Sequence, residues 1–414
     1  MTELSDFGTI VLVVATGLTL ALISTRVSVF LSIPGPAIFL VFAAAASDVF
    51  PSLGDRVSIQ TVERIGVVAL IVILFDGGLS IGWRRFRVAA APIFSLGLIG
   101  TFGTAGVVAV FAHLVLGFGW TTASLVGAAI APTDPAVMFS VLGNREIGGR
   151  TGTILEGESG ANDPVGIALM IGMIELATHS DASFWVVVRV LAQELGLGLV
   201  VGVVGGVILL AIGRRVSLPE EGLYLARLLA GAGAVYGAAS IVGGSGFLAV
   251  FVAGILLGDI RMPFKQQLEI FQNGLSSLAE IVVFVALGLT IELDAISWRT
   301  WLDGLLLALF LAVVARPLVV GPLLLPVRLS RGERTFVIWS GLRGAVPILL
   351  AAFALLEQVD EARRIYGIVF VVVAFSVIVQ GASVPWAAER LGVPMRRIAP
   401  QETEARLRTP EGAA

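Results

Sequence analysis

Residues 155–170 read LEGESGANDPVGIALM, a stretch that begins with acidic and amide side chains and continues as an apolar segment. Asp163 falls near the middle of this segment. Ser159 precedes it by one helical turn, so the two side-chain oxygens face the same way. An ionisable side chain at membrane depth is costly and is usually functional. The stretch therefore predicts a membrane helix built around a buried acid.

The composition of the chain is that of a membrane protein. Of its 414 residues, 57% are hydrophobic and 14% are charged, whereas soluble domains average about 45–50% apolar and about 25% charged residues. The lack of cysteine excludes disulfides and thiol catalysis, and His113 and His179 alone are too few for a histidine metal site. No basic patch points to nucleic acid. We expect a polytopic protein surrounded by lipid, with no cofactor, nucleic-acid partner or protein substrate.

A hydropathy window predicts about thirteen membrane helices, which makes the fold class all-α. The predicted spans are 7–25, 29–47, 63–81, 90–116, 120–142, 152–177, 184–212, 222–242, 246–260, 275–292, 301–322, 334–357 and 364–387. Glu3 and Asp6, rather than basic residues, precede the first span, so it is predicted to be retained and not cleaved as a signal peptide. Residues 1–390 are predicted to form one transmembrane unit, and residues 391–414 a short, polar, disordered cytoplasmic tail.

Basic residues are concentrated in alternate connections between these spans. The richer set is Arg26; Arg84, Arg85 and Arg87; Arg145 and Arg150; Arg214 and Arg215; Arg261 and Lys265; Arg328, Arg331 and Arg334; and Arg390, Arg396 and Arg397. By the positive-inside rule this set is cytoplasmic. The pattern predicts an outside N-terminus and a cytoplasmic C-terminus.

The two halves of the chain resemble each other. GPAIFLVFAAAASD (35–48) matches GFLAVFVAGILLGD (246–259), and GGLSI (77–81) matches LGLTI (287–291). An odd number of helices separates the equivalents, so the copies must point in opposite directions across the membrane, as in the inverted repeats of secondary transporters. The repeats are predicted at roughly residues 29–177 and 246–387.

Two spans are interrupted at equivalent places in these repeats. In GAAIAPTDPAVMF (127–139) two prolines bracket Thr133 and Asp134, and in GLRGAVPILL (341–350) glycines and a proline surround Arg343. Proline removes a backbone donor and breaks helix closure, and such breaks are tolerated at this depth only inside protein or beside water. Ordinary proline kinks are the alternative. The charge at each break favours a binding site.

The polar groups of the interrupted and acidic helices supply oxygen and neither nitrogen nor sulfur. Asp163, Asp134 and Asp76 contribute carboxylates, and Thr133 and Ser159 contribute hydroxyls. Such a site suits a hard monovalent cation. A buried carboxylate also binds protons, so a proton and a cation would compete for the same negative charge. If the site can move across the membrane only with one of them bound, it carries a cation in one direction and a proton in the other, which is exchange.

These residues resemble a known family, the NhaP-type sodium/proton antiporters of the monovalent cation:proton antiporter superfamily. The resemblance rests on FDGGL (75–79), APTDPA (131–136), GESGANDP (157–164) and GLRGAVPI (341–348), and it extends to about residue 390. It implies thirteen helices, two of them interrupted and crossing, and a homodimer. It also implies a core, roughly residues 63–177 and 275–387, that moves against a dimerisation domain.

The resemblance also implies roles for individual residues. Asp163 is similar in position to the shared carrier of proton and cation, Asp134 and Ser159 to further ligands, and Thr133 and Asn162 to the hydrogen-bonded pair that holds the crossing together. The Asn-Asp pair implies one-for-one, electroneutral exchange.

Three further residues are assigned by the same resemblance. Asp76 stands where the family usually has glutamate, which leaves open whether it reaches the ion directly or through water. Glu158 and Arg343 resemble a buried ion pair between the acidic helix and the second interrupted helix. Glu156 is expected either to line an inner funnel or to be solvated at the helix end.

The function expected from these patterns is antiport of sodium or lithium for protons by alternating access, not an enzymatic reaction. Potassium/proton antiport is the alternative within the class. A cation channel is disfavoured because no filter-like segment is present. An intramembrane aspartyl protease needs paired catalytic aspartates, and Asp259, the nearest candidate in the second half, lies at a helix end.

Overall fold

The computed structural model describes residue 19 and residues 34–49, 58–142, 145–179, 183–260 and 264–397. Apart from residue 19, the predicted first helix lies outside the described residues. So do Arg26 and Arg261 of the charge pattern and the tail from residue 398.

The described part of the chain is almost entirely helical. The helices are α1 Gly35–Val49, α2 Ile59–Phe94, α3 Thr101–Leu114, α4 Trp120–Ile130, α5 Pro135–Leu142, α6 Gly149–Thr178, α7 Phe184–Arg215, α8 Glu221–Ile241, α9 Gly246–Leu257, α10 Lys265–Leu289, α11 Trp298–Phe310, α12 Arg316–Leu324, α13 Arg331–Trp339, α14 Ala345–Leu356, α15 Ala362–Phe375 and α16 Gly381–Arg390. Short π-helical segments, Ser95–Gly100, Leu311–Ala315 and Ser376–Gln380, join α2 to α3, α11 to α12 and α15 to α16. A 3-10 turn occupies Leu293–Ala295, and two short strands, β1 Arg145–Ile147 and β2 Met395–Arg397, pair antiparallel.

The predicted spans agree with these helices wherever the chain is described. Six helical runs in the described ranges are long and apolar enough to cross a membrane, and the bent pair α4 and α5 can form a seventh span. The break expected between 63–81 and 90–116 is present. It lies at Gly82, whose φ of 62° separates two helices within α2, because glycine alone adopts this conformation at little cost; the second helix begins directly after Gly82 and so starts before residue 90.

α6 is long but is not among those six runs, because Glu156, Glu158 and Asp163 interrupt its apolar character. It packs against α2, α4 and α7, and residues 162–170 are all buried. Surrounding helices rather than lipid therefore contact its acidic part, which is the setting in which polar groups are tolerated at membrane depth.

Contacts exchanged between the two halves show the inverted repeat. Asp259, which closes the segment 246–259, accepts a hydrogen bond at Oδ2 from Arg84 N at 2.7 Å. Asp48, which closes the equivalent segment 35–48, accepts one at Oδ1 from Leu293 N at 3.0 Å. Each aspartate thus binds the backbone that follows the other half's GGLSI or LGLTI motif.

Gly78 and Gly288, which occupy equivalent positions in the two halves, also pack against the opposite half. A Cβ at Gly78 would lie 2.5 Å from the carbonyl oxygen of Phe251, and a Cβ at Gly288 would lie 2.7 Å from that of Leu40. Helix α2 therefore approaches α9 as closely as α10 approaches α1. These paired contacts are those of two copies related by a two-fold axis.

The arginine-rich connections meet at one end of the helices. Strand β1 precedes α6 and pairs with β2, and the Arg145 Nη1 atom lies 2.5 Å from Glu389 Oε1. At the same end, Thr151 donates to Glu333 at 2.8 Å. Residues 391–397 were expected to begin a disordered tail; this is wrong because residues 395–397 gain backbone partners in β1. The membrane side of this end stays a prediction.

Candidate ion-binding site

The chain leaves the helical conformation at residues 131–134 and 340–344, and the two breaks lie against each other. Across the contact, Asp134 N donates to Leu342 O at 2.8 Å. Backbone groups freed by one interruption are therefore partly satisfied by the other, which is how non-helical backbone survives at this depth.

The Asp134 carboxylate lies at the N-terminal ends of two half-helices. Its Oδ1 accepts from Ala136 N at 2.9 Å in α5, and the carboxylate also accepts from the backbone of Val137 in α5 and Ala345 in α14. Free N–H groups and the helix dipole both favour an anion there. Gly344 makes the approach possible, since a Cβ at that position would lie 1.8 Å from Asp134 Oδ2.

Arg343 lies at the C-terminal end of the first half-helix. Its Nε donates to Ile130 O, the last carbonyl of α4, at 2.9 Å, and its Nη1 donates to Gly341 O. Helix C-termini carry partial negative charge and favour cations. The side chain is 2% exposed, so it compensates carbonyls that water does not reach.

Arg316 has the same role at the second half-helix. It begins α12 directly after a π-helical segment, and its Nε and Nη2 atoms donate to Ile338 O at 2.9 Å and Val337 O at 3.2 Å, near the end of α13. Each interrupted helix therefore has an arginine at the end of its first half, and Asp134 caps the second half of both.

The expected Glu158–Arg343 ion pair is wrong. Glu158 Oε1 lies 2.8 Å from Arg316 Nη1, and both side chains are only 3% exposed; Oε2 accepts from Arg316 Nη2 at 3.1 Å. Arg343 is already directed at the Ile130 and Gly341 carbonyls. The bidentate geometry fits a guanidinium to a carboxylate, and a pair this deeply buried depends on both partners.

Asp163 and Ser159 lie one turn apart on α6, and both are buried. Among the described residues, Asp163 Oδ1 has no hydrogen-bond partner, and the carboxylate is close enough to Asp134 for their charges to interact. A buried acceptor without a partner costs free energy. The atom is thus available to a bound cation or proton.

Side chains of the following helix hold the backbone of each break. Asn162 Nδ2 donates to Thr133 Oγ1 at 2.7 Å, and Thr133 N donates back to Asn162 Oδ1 at 3.3 Å. At the second break, Arg343 N donates to Ser376 Oγ at 2.9 Å. Both the oxygen and the nitrogen of the Asn162 amide are hydrogen-bonded, so this uncharged side chain holds the first break in position.

Charge at the crossing is nearly balanced. Asp134, Asp163 and Glu158 supply three negative charges when ionised, and Arg316 and Arg343 supply two positive charges. One monovalent cation or one proton at Asp163 makes this set of five neutral, and Glu280, whose charge interacts with that of Asp134, adds a further acid beside the set. Because a net charge is costly in a low-dielectric interior, either ligand stabilises the arrangement.

Asp76 lies apart from these residues, in a cavity of about 400 Å³ that opens toward the arginine-rich end. We call this cavity the funnel. Its lining includes Asp76, Glu156, Arg85, Asp259 and Lys265 but neither Asp134 nor Asp163. Ser276 of α10 donates a hydrogen bond to the Asp76 carboxylate.

The three predicted carboxylates do not form one cluster. Within the described ranges, no three His, Cys, Asp or Glu side chains lie close enough together to hold a metal ion. Asp134 and Asp163 are neighbours, and the structure places Asp76 in the funnel instead.

The sequence reasoning missed two charged residues inside predicted spans. Arg316 lies within 301–322 and pairs with Glu158. Glu280 lies within 275–292, and its charge interacts with that of Asp134. Their signal was present in the sequence, because a charged side chain in an apolar span needs a partner or a function.

Comparison with known proteins agrees with this architecture. A sequence model described as "Sodium/hydrogen exchanger, transmembrane" matches residues 7–390. The K(+)/H(+) antiporter NhaP2 of Shewanella sp. (strain ANA-3) is 35% identical over 382 residues, which cover 91% of this chain and 65% of that protein. The Na(+)/H(+) antiporter ApNhaP of Aphanothece halophytica is 28% identical over 355 residues, 80% of this chain and 65% of that protein.

A solved structure has the same fold. The sodium proton antiporter MjNhaP1 from Methanocaldococcus jannaschii at pH 8 superposes with a TM-score of 0.76 at 23% sequence identity, covering 91% of this chain and 99% of that chain. The chain spans 65% of the length of the named relatives.

Proposed function

Because the chain belongs to the family of transmembrane sodium/hydrogen exchangers, we propose that it is a secondary active antiporter that exchanges a monovalent cation for protons. The observation that carries the proposal is that the buried Asp163 Oδ1 atom has no hydrogen-bond partner among the described residues. It lies at a crossing whose five charged groups are one positive charge short of neutrality.

Cation and proton are alternative ligands of Asp163 in this mechanism. The cation is held by the Asp163 carboxylate together with Asp134, Ser159 and Thr133, which offer the oxygen atoms that hard cations prefer. Asp76 acts from the funnel side, directly or through water. The geometry of the crossing is stabilised by the hydrogen bonds and ion pair of Asn162, Glu158, Arg343 and Arg316.

Exchange follows from the cost of moving a charged site. The empty, ionised site carries an uncompensated negative charge at Asp163 across a low-dielectric region, whereas a cation or a proton bound there cancels that charge. Only the loaded forms then alternate between the two sides. If one cation leaves Asp163 for each proton that binds it, exchange is one-for-one and electroneutral. The Asn162 amide beside it is neutral and supplies no second titrating group.

Potassium and sodium are both candidate cations. Sodium or lithium is expected from the motif resemblance, but the relative named as a K(+)/H(+) antiporter is more similar, at 35% identity, than the relative named as a Na(+)/H(+) antiporter, at 28%. We therefore place potassium beside sodium. Both are hard monovalent cations that an oxygen site accepts.

Proton flux in proteoliposomes tests this function. Sodium, lithium and potassium are added separately, with and without a membrane-potential clamp. We expect cation-dependent proton counterflow that the clamp does not change, and the most effective ion identifies the substrate. If no cation moves protons, the antiport proposal is wrong; a clamp-dependent flux would instead contradict the one-for-one stoichiometry.

Competition at Asp163 predicts a specific pH dependence. Protons occupy the site more as pH falls, so the apparent KM for the cation should rise, by up to about tenfold per pH unit where the protonated form dominates. The maximal rate at saturating cation should change little at first. Flux measured over a grid of cation concentration and pH checks this, and a KM independent of pH would contradict shared binding.

Gly344→Ala is expected to reduce exchange by about tenfold or more. The added methyl group would overlap the Asp134 carboxylate and force it away from the helix ends that it caps. The matched control is Gly237→Ala, because a Cβ at Gly237 meets nothing within 4 Å. Equal flux in the two variants would show that the position of Asp134 does not matter.

We further propose a homodimer in the bacterial inner membrane, with the arginine-rich end in the cytoplasm. Arg145, Arg150, Arg334 and Arg396 all lie at that end of the described helices, in line with the positive-inside rule. Crosslinking in membranes and thiol labelling of single cysteines at either end test the two points. Labelling of the arginine-rich end from outside intact cells would reverse the orientation.

A further inference from the structure

Polar side chains on α10 recur at a spacing of four. Gln272, Ser276 and Glu280 follow each other at this interval, which places them on one face of the helix, each one turn from the next. The face begins at the funnel, whose lining includes Gln272 and Asn273. It continues toward the crossed breaks, since α10 also packs against α14.

Gln272 lies at the funnel end of this polar face. The residue is 1% exposed, yet neither Nε2 nor Oε1 of its amide has a hydrogen-bond partner among the described residues. Buried amides are nearly always hydrogen-bonded. An amide that lines a cavity with both atoms unpaired therefore indicates that water or a cation is its partner.

Ser276 is the middle step of the face. Its hydroxyl donates to Asp76, and the amide of Asn273, oriented as its neighbours require, donates to Asp76 Oδ1 at 3.1 Å and Oδ2 at 3.3 Å. Asp76 is thus held on α10 rather than at Asp163. Its carboxylate places negative charge beside the polar face.

Glu280 lies at the far end, beside the crossing. Its Oε1 atom is buried and has no hydrogen-bond partner in the described structure, and its charge interacts with that of Asp134. Among the described residues, the positive groups at the crossing have other partners: Arg316 pairs with Glu158, and Arg343 Nε and Nη1 donate to carbonyls, while Arg343 Nη2 is buried without a hydrogen-bond partner. An acid in this setting attracts a cation.

We infer that this face of α10 is the hydrated passage by which the transported monovalent cation moves between the funnel and Asp163, and that Glu280 is a cation-binding residue on it. The passage runs from Gln272 past Ser276 and Asp76 to Glu280. The inference rests on the proposed antiport and adds a residue and a path to it.

Cysteine labelling tests the passage without relying on transport. The native chain contains no cysteine, so Ser276→Cys carries a single thiol. We expect a charged methanethiosulfonate reagent to label it from the funnel side, and the transported cation to slow labelling at least threefold. The control is Leu278→Cys, about 200° further round the helix, where the native side chain is 42% exposed on the apolar face.

Leu278→Cys should remain unlabelled, because a thiol in lipid is neither ionised nor reached by a charged reagent. Equal labelling of the two variants, or no labelling of Ser276→Cys, would overturn the passage. If the wild-type protein moves no protons but Ser276→Cys is labelled and protected by a cation, the passage stands while antiport fails.

Transport kinetics test Glu280 itself. Glu280→Gln keeps the shape and removes the charge, and we expect the apparent KM for cation supplied from the funnel side to rise at least tenfold while the maximal rate stays within about twofold. Glu292→Gln, the same change in the exposed segment after α10, should leave KM unchanged. If wild-type exchange is present and Glu280→Gln has a normal KM, Glu280 is not on the path.

Gln272→Leu provides a second variant should Glu280→Gln fail to fold. Leucine is close to glutamine in size but makes the funnel end of the passage apolar, so the same rise in KM is expected. A normal KM in a folded Gln272→Leu protein would contradict the passage.

Discussion

Asp163→Asn is expected to reduce cation-dependent proton counterflow to the level of protein-free liposomes. The amide has the size of the carboxyl group but cannot take up a proton or supply the charge that the cation needs. Because the uncompensated charge of Asp163 is then gone without any ligand, movement of the site no longer requires a bound cation or proton. Flux with each cation, at several pH values, provides the measurement.

The matched variants for this prediction test geometry and folding. Asp163→Glu keeps the charge but moves it by one methylene, so at most weak exchange is expected. Asp163→Asn should elute as a single species in detergent, since it removes no hydrogen bond that Oδ1 makes in the described structure. Full exchange by Asp163→Asn would disprove the proposed mechanism.

Arg316→Ala is expected to destabilise the protein by about 3–5 kcal/mol, the usual cost of breaking a buried ion pair. It leaves Glu158 without a counter-charge and removes the donors to the Ile338 and Val337 carbonyls. Thermal unfolding in detergent and the yield of monodisperse protein measure the effect. A loss of exchange should accompany it, because α13 holds one side of the crossing.

Two controls separate the buried pair from a general effect of removing arginine. Arg189→Ala breaks a pair with Glu175 in which the arginine is 69% exposed, and it should cost less than about 1 kcal/mol. The double variant Arg316→Met with Glu158→Gln should be more stable than Arg316→Ala, since no charge is left unpaired. If Arg316→Ala were as stable as Arg189→Ala, the role assigned to the pair would be wrong.

The helices could be predicted because membrane spans follow from local composition. A run of about 20 apolar residues is sufficient to indicate one, and the prolines and glycines marked both breaks correctly. The break between the third and fourth spans was predicted, and it lies at Gly82. The start of the fourth helix was placed too late, because Arg84, Arg85 and Arg87 are polar like a loop although their backbone is helical.

The site was less predictable because its partners come from distant parts of the chain. The pairing of Thr133 with Asn162 followed from the motif resemblance, and the structure has that hydrogen bond. The partner of Glu158 could not be deduced, since Arg316 and Arg343 are both buried arginines in the second half and only packing decides between them. Asp134 was expected to bind an ion and is seen also to cap two helices.

The exchanged contacts of Asp48, Asp259, Gly78 and Gly288 have a consequence for biosynthesis. The Asp48 carboxylate of the first half accepts from Leu293, which the ribosome makes 245 residues later, and the Arg84 amide donates to Asp259, made 175 residues later. Until the second half is made, Asp48 and Gly78 of the first half therefore lack these contacts. Translation of the second half, rather than insertion of any single helix, sets the earliest moment at which the protein can fold.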